Sequence, residues 1–563
     1  MFDKESGEKM TKYILGRIVR SIISIFCVVG IACALIYGLI ERDKIFDKDQ
    51  TFSKIKGDPV ASITYKYTKW EDLGYLDFQN AGDVCKLAGD SVNYDKCVRG
   101  TTDAFETVKA EWEANGYTVR FKENGVAYVK SGVEFYKEQP ELCQLSTSGV
   151  DYNECIDTMN EDLEKALATY LENGYEFAYY NTGIAYTWKD RTVLQILFSY
   201  ITNLVKIDNP GFVDDSLNPN IDRGIYFGTD HNGVPAIKCS GCEHQYLLYL
   251  DGSFPFIHQN IITLNFGKSY PTYSGLDTIV AITQEQGNPV KDKVTFDTGA
   301  TANSAVNLHT CKYKLTSTMD SMDKSKFKTN YADCSMNKDA PGMVGISYVF
   351  GILGLIVSYA IALPAGILMA QKKDKWQDKL GIVYINVMIA TPSLAFIFFM
   401  KMIGNAAGLP DKFPQYGFGD IRSYILPTII LGLLSTAGLM IWMRRYMVDQ
   451  ANSDYVKFAR AKGLSQSEIF KRHILKNAII PIVNGIPGSI VLCISGAVIT
   501  ESVFAIPGMG KMLPDAITAN NNNMIITLTF IFTTLSIFSL LLGDILMTFV
   551  DPRIQLSSKG ETR

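Results

Sequence analysis

The 563-residue sequence predicts a polytopic α-helical membrane protein carrying an inserted extracellular α+β domain. Three observations lead there. Apolar runs long enough to cross a bilayer lie near both ends of the chain. A polar stretch of 300 residues separates the first run from the second. Charge divides along the same line: residues 1–40 and 341–563 hold 24 Lys and Arg against 15 Asp and Glu, whereas residues 41–340 hold 30 against 43. The near-zero mean hydropathy of +0.06 averages these two unlike parts. A net charge of −4 and a pI near 5.9 lack the basic excess of a nucleic-acid binder.

Residues 21–40 contain no charge, and at about 1.5 Å per residue they cover a hydrocarbon core of about 30 Å. Lys12, Arg17 and Arg20 precede them, as in a signal peptide. The run exceeds the roughly 7–15 apolar residues of a cleaved signal, and Glu41-Arg42-Asp43-Lys44 follows at once, so it reads as a retained signal anchor. Runs at 342–370, 380–404, 424–443, 479–500 and 524–550 bring the predicted crossings to six. Pro364, Pro392, Pro427, Pro481 and Pro487 interrupt them, which membrane helices tolerate better than soluble ones. The connecting segments alternate in charge. The amino-terminal stretch has five Lys and Arg, residues 371–379 have four Lys, and residues 444–476 have eight Lys and Arg. Residues 405–420 have only Lys412, and residues 504–523 only Lys511. The positive-inside rule therefore places a multi-pass protein in the cell membrane with both termini cytoplasmic and residues 41–340 outside. The domain plan is 1–40, 41–340 and 341–563.

Of eleven cysteines, Cys27, Cys33 and Cys493 fall in apolar runs and read as small apolar residues. The other eight lie in 41–340, where an oxidising compartment favours disulfides. Shifting the sequence by 58 aligns Cys85 with Cys143, Cys97 with Cys155, Asn115-Gly116-Tyr117 with Asn173-Gly174-Tyr175, and Gly125-Val126-Ala127-Tyr128 with Gly183-Ile184-Ala185-Tyr186. This is an internal duplication over about 85–130 and 143–188, and the parsimonious pairing is Cys85–Cys97 and Cys143–Cys155. Each copy reads as a cysteine-closed loop, a polar helix that stops at Asn-Gly, and two short aromatic strands. Cys239, Cys242, Cys311 and Cys334 are expected to be paired as well. The spacing Cys239-Ser240-Gly241-Cys242, with Glu243, His244 and His309 in reach, admits zinc, but in an exported domain the disulfide takes precedence and no metal is expected. No His-Glu-x-x-His, Gly-x-Ser-x-Gly or phosphate-cradling loop occurs, so no catalytic residue and no cofactor are assigned to this chain.

The most informative stretch is 454–478, within the basic loop 444–478. It reads as two short helices joined by a sharp turn. Asp454 is placed to cap the first, Gly463 to take a left-handed closing conformation, and Ser465 with Glu468 to form a capping box for the second. Small side chains at Ala459, Ala461 and Gly463 admit a close partner. From the residues alone, a rigid element that transmits motion and an amphipathic linker lying on the inner leaflet fit equally.

The wording Phe458-Ala459-Arg460-Ala461-Lys462-Gly463-Leu464-Ser465, with Glu468, His473, Asn477, Ala478 and Pro481 beyond it, resembles the coupling loop of ABC-importer membrane subunits, in particular permeases of oligopeptide and dipeptide importers. Glu501, Phe504, Pro507, Gly508 and Gly510 resemble that family's Glu-x-x-Phe-x-x-Pro-Gly-x-Gly segment, and Asp551-Pro552-Arg553 its carboxyl-terminal Asp-Pro-Arg. Tyr13-Ile14-Leu15-Gly16-Arg17 suits the first, B-type, permease of such systems. Residues 520–523 are four asparagines where many relatives have Arg-Asp, and the insert is far larger than usual, similar to that of streptococcal-type oligopeptide systems.

The resemblance implies a type I ABC importer permease of six transmembrane helices that hydrolyses nothing itself. Its expected partners are a second permease in a heterodimer, two cytoplasmic ATPases that bind ATP and Mg, an extracellular lipid-anchored binding protein, the peptide and membrane lipid. The element from Phe458 to Glu468 is expected to seat in an ATPase cleft. Asn386, Thr391, Asn484, Ser495, Thr500 and Glu501 are the polar candidates for the translocation path or gate, each with a helix–helix hydrogen bond as the alternative. The insert is expected either to dock the binding protein and cap the pore or to act as a spacer. The rival function is a membrane sensor with a ligand-binding ectodomain, or an importer of a non-peptide solute.

Overall fold

The computed structural model describes residues 4–80, parts of 107–121, residues 127–131 and 137–139, parts of 168–179, and residues 185–251 and 256–550. The chain divides into two compact units, residues 33–202, and residues 1–32 with 203–563. Helix α1 (Lys4–Leu39) holds the first apolar span, Leu15–Leu39.

In residues 33–202, helix α2 (Pro59–Asp72) starts with Pro59 at its first turn, and the Asp58 carboxylate accepts from Ala61 N at 3.1 Å. Its Tyr67 and Trp70 enter an aromatic cluster, Tyr67 lying 5.2 Å from the ring of Tyr186 and 5.2 Å from that of Trp188. The Arg42 guanidinium covers Trp70 at 4.3 Å.

Six strands follow among the described residues: β1 (Leu76–Asn80), β2 (Tyr117–Phe121), β3 (Ala127–Ser131), β4 (Lys137–Gln139), β5 (Glu176–Tyr179) and β6 (Ala185–Asp190). They form two antiparallel sheets of order β2-β3-β4 and β1-β6-β5. Their registers repeat at an offset of 58. Thr118 faces Lys130 and Glu176 faces Trp188, the same pair displaced by 58. Tyr128 faces Glu138 and Tyr186 faces Asn80, which again match when each copy is shifted by 58 onto the other. Each sheet thus joins the hairpin of one copy to the leading strand of the other. In both copies the helical stretch ends at Asn-Gly, and Gly116 and Gly174 take φ of +84° and +77°, the left-handed closing conformation. Cys85, Cys97, Cys143 and Cys155 lie outside the described residues.

In residues 203–340, strands β7 (Val205–Ile207), β8 (Gly224–Thr229), β9 (Pro235–Ser240), β10 (Tyr246–Leu250), β11 (Ile257–Gln259) and β12 (Ile262–Leu264) build a four-stranded sheet, β11-β10-β9-β8, and a β7/β12 ribbon. Helix α3 (Thr278–Thr283) and the pairs β13 (Gln286–Pro289) with β18 (Lys338–Ala340), β14 (Asp292–Thr295) with β15 (Thr301–Ser304), and β16 (Lys312–Tyr313) with β17 (Tyr331–Asp333) complete it. Disulfides close Cys239–Cys242 and Cys311–Cys334.

The compact units part at 202/203 and not at 340, where composition changes. Residues 203–340 group with the membrane helices because they bury specific side chains there. The longer α-helices from 343 onward, spans and connecting elements together, are α4 (Met343–Gln371), α5 (Trp376–Ala390), α6 (Ser393–Ala406), α7 (Arg422–Ala451), α8 (Asp454–Ala461), α9 (Ile480–Leu492), α10 (Val498–Phe504), α11 (Met509–Thr518) and α12 (Asn522–Val550). Ala281 and Ile282 of α3 are fully buried among Met343, Met512, Met524 and Leu528. Asn521 Nδ2 donates to Ser269 Oγ at 2.7 Å and Thr272 Oγ1 at 2.8 Å, and Asn523 Nδ2 donates to Lys268 O at 2.9 Å.

Among the described residues, four helices (α1, α4, α7 and α12) are long and apolar enough to cross a membrane, and two bent pairs bring the number to six if each pair is one span. The run at 380–404 is not a straight crossing. α5 and α6 meet at 107°, because Pro392 cannot continue the ladder and forces Thr391 out of helical geometry, at ψ 124°. α4 and α7 pack through small residues: a Cβ on Gly432 would lie 2.6 Å from Val357 Cγ1.

Candidate functional site: the bent element and the membrane cavity

The stretch 454–478 forms a bent element. α8 presents Val456 and Ala459 to a buried cluster with Met443, Met447, Ile469, Ile474 and Ala478. Lys457, Phe458, Arg460, Ala461, Lys462, Gly463 and Ser465 are exposed, Phe458 at 69 %. Leu464 and Glu468 are half-buried. An apolar edge grips the bundle while a basic edge with one large aromatic faces outward.

Several local details differ from expectation. Ser453, not Asp454, occupies the cap position of α8, and Asp454 instead pairs with Lys457 at 2.7 Å. The capping box is half made: Ser465 Oγ accepts from Glu468 N at 3.3 Å, but the Glu468 carboxylate pairs forward with Arg472 at 3.2 Å. Beyond it the chain widens into a π-helical turn, Ile469–Leu475. Ala459 does not make room for a partner, since it faces its own bundle. Gly463 has φ +79° and nothing within 4 Å of a built Cβ, so within this chain glycine serves the backbone conformation. The element is tied at its base by Arg444, whose Nε and Nη2 donate to the fully buried Asp378 carboxylate at 2.6 and 2.7 Å.

A cavity of about 400 Å³ lies between α4, α7, α9 and the segment 496–501. Ser347, Ser358, Ser435, Ser489, Thr500 and Glu501 give it a polar lining among apolar walls. Ser358 Oγ is buried without a hydrogen-bond partner among the described residues. Of the six path candidates read from sequence, the cavity takes only Thr500 and Glu501. Asn386 is exposed on α5, the Thr391 hydroxyl donates to Val387 O at 2.7 Å, and the Ser495 hydroxyl donates to Leu492 O at 2.6 Å. Asn484 lies off the lining with its Oδ1 buried and unpaired among the described residues. Sequence reading missed Ser347 and Ser358. Their signal was periodic: Ser347, Gly351, Gly354 and Ser358 recur at helical spacing down one face of α4.

Glu501 is 2 % exposed and holds a loop together. Its carboxylate accepts from Ser347 Oγ at 2.7 Å, Ala497 N at 3.1 Å and Lys511 N at 2.9 Å, while Ser347 Oγ itself accepts from Met509 N at 2.7 Å. The glycines around it follow from this packing. A Cβ on Gly508 would lie 2.5 Å from Glu501 Cδ, one on Gly510 would lie 3.0 Å from Oε2, and one on Gly496 would overlap Oε1. Phe504 is fully buried beneath, and Lys401 Nζ donates to Val503 O at 2.9 Å. Gln286 of β13 reaches the same loop, donating to Pro507 O at 3.0 Å.

A bundle of apolar helices around a polar-lined cavity, with a bent basic element at one end, defines a multi-pass membrane permease. Residues 362–556 match the family described as binding-protein-dependent transport system inner membrane component. The oligopeptide transport system permease protein AmiC of Streptococcus pneumoniae is 37 % identical over 98 % of this chain and 100 % of its own length. The dipeptide transport system permease proteins DppB of Lactococcus lactis and Bacillus subtilis are 30 % and 28 % identical, each over 38 % of this chain and 69 % of the relative. The chain belongs to the family of binding-protein-dependent ABC transport permeases, as a transport subunit.

Proposed function

We propose that this chain is the translocation subunit of an ATP-driven oligopeptide importer. The observation that carries the reading is the bent element, gripped by the bundle on its apolar edge and open on the edge bearing Phe458, Arg460, Lys462 and Gly463. An outward basic and aromatic edge on a rigid turn suits insertion into a cleft of an ATPase, which would bind ATP and Mg and hydrolyse the nucleotide. The charge alternation of the loops supports cytoplasmic termini and an extracellular insert. A second permease would complete the pore, and a lipid-anchored binding protein would deliver peptide to the outer face. AmiC aligns through the insert, whereas a 38 % match cannot contain it, so the insert is a feature held in common with the oligopeptide relative. The contacts of Gln286 with Pro507 and of Asn521 with Ser269 favour a cap seated on the pore entrance over a detached spacer.

The test is uptake of a labelled peptide mixture into vesicles holding this chain with its partner permease, ATPases and binding protein. A β-branched residue at φ +79° costs about 1–2 kcal/mol or more, while asparagine tolerates that conformation. Gly463→Val is expected to abolish uptake with assembly preserved, and Gly463→Asn to retain most of it. Normal uptake by Gly463→Val would remove the coupling role from this turn. Failure of intact complex to move any peptide would move the substrate outside peptides.

A further inference from the structure

Five histidines occur in the chain, and two of them meet a carboxylate at one point of the 203–340 region. Asp230 and His231 lie in the turn between β8 and β9, and His309 lies in a 3₁₀ turn, Leu308–Thr310, just before Cys311. One donor atom from each of the three falls within 4.8 Å of the others. His309 Nε2 is 2.9 Å from Asp230 Oδ2, and the His231 and His309 rings are 5.1 Å apart.

Asp230 and His309 are already held by their neighbours, and His231 Nε2 lies 3.1 Å from Asn232 Nδ2. Asp230 Oδ1 accepts from Asn232 N at 2.8 Å and Val234 N at 2.7 Å, which turns Oδ2 toward the imidazole. His309 stacks on Tyr249 with centroids 4.5 Å apart, and Tyr246 meets it edge-on at 5.2 Å. Its far nitrogen, Nδ1, faces Asp251 Oδ2 at 4.0 Å. At 4.0 Å this is an ion-pair distance and not a hydrogen bond, so the ring is held chiefly by its stacking on Tyr249. Asp230 and His309 are buried, and His231 closes the cluster from the solvent side.

A second buried pair in the same region shows what a structural Asp–His contact looks like without this company. His244 Nδ1 lies 3.1 Å from Asp208 Oδ2, and that carboxylate is consumed by the backbone N–H groups of Glu243 and His244, both at 2.8 Å. No second imidazole joins it in a three-donor cluster among the described residues.

We propose that Asp230, His231 and His309 form a divalent metal site of the zinc class. Two imidazole nitrogens and one carboxylate oxygen suit Zn²⁺, whereas Ca²⁺ and Mg²⁺ take oxygen sets. Tetrahedral donors around zinc stand roughly 3.3 Å apart. Asp230 and His309 are already near that spacing, and the exposed His231 would close on them by giving up its 3.1 Å contact with Asn232 Nδ2. Three protein ligands leave a fourth position on the solvent side. The neighbouring cysteines do not compete, being joined as Cys239–Cys242 and Cys311–Cys334. A bound ion would clamp the β8–β9 turn to the segment that leads into Cys311.

The experiment uses the full chain in detergent, stripped with a chelator and titrated with Zn²⁺ alone by equilibrium dialysis, with the ligand-field spectrum of bound Co²⁺ as a second readout. One zinc per chain is expected, with affinity reduced at least about tenfold in His231→Ala and in His309→Gln, and unchanged in His473→Ala, a histidine remote in the bent element. Because His231 is exposed, its removal tests the site without threatening the fold. Absence of stoichiometric zinc, or zinc held equally well by His231→Ala and His309→Gln, overturns the proposal.

Discussion

Glu501 lies near one end of the membrane bundle, yet its carboxylate is spent on Ser347, Ala497 and Lys511 rather than left to water. Reading along the chain identified this acid and its glycines as a motif but gave them no common cause. The cause is Ser347, which stands 154 positions away on α4. Glu501→Gln keeps the shape but sets an amide N–H₂ against a backbone N–H donor. It is expected to lower stability by about 1–3 kcal/mol, read as a fall in the thermal midpoint in detergent. Gly508→Ala should lower it further, since the added carbon meets the carboxylate itself. Equal midpoints for wild type and Glu501→Gln would show that the loop holds without the carboxylate. Asn386 and Ser495 show the opposite limit: polarity inside an apolar run marks a residue as unusual without telling which way it faces.

At the scale of elements, the turn of 454–478 was legible because Gly463, Ser465 and Glu468 are local signals that act within a few residues. The anchoring of that turn was not, because Arg444 meets Asp378 across 66 positions. Nor was the 107° break between α5 and α6, since a proline in a membrane run is compatible with a kink, a break or a reversal, and neighbouring helices decide among them. Asp378 is fully buried and accepts two bonds from Arg444 and one from Asp374 N at 2.9 Å. Arg444→Ala leaves that charge unpaired, a change that costs about 3–5 kcal/mol at fully buried sites and less here, where Arg444 is partly exposed. The expected outcome is a lowered melting temperature with earlier proteolysis within 444–478. Arg444→Ala combined with Asp378→Asn should recover part of the loss, and no recovery would mean that the pair is not the anchor.

For the whole molecule, composition separated an acidic insert from apolar helices, and the division by contacts falls elsewhere. Chemical character changes at 340, but residues 203–340 belong with the helices because Ala281, Ile282, Ser269 and Thr272 find their partners there. The four asparagines at 520–523 were a departure from a pattern in sequence; in space Asn521 and Asn523 bind the insert to the start of α12. Asn521→Ala removes the donor shared by Ser269 Oγ, Thr272 Oγ1 and Thr272 O and is expected to cost about 1–3 kcal/mol. Hydrogen exchange should report it as faster exchange over residues 266–284 with α4 and α7 unaffected. Unchanged protection there would mean that α3, Asn523 and Gln286 hold the insert without Asn521.

The exchanged leading strands of the duplicated modules set a condition on how this chain is cut or rebuilt. Neither copy is a separable cassette: β1 finds its neighbour in β6, and β4 finds its neighbour in β3. A fragment ending after the first hairpin would carry β1 without its acceptor and an open edge along β3. Its way to satisfy both is to borrow from a second identical fragment, as two hands clasp. The tandem arrangement is in effect a dimer folded inside one chain.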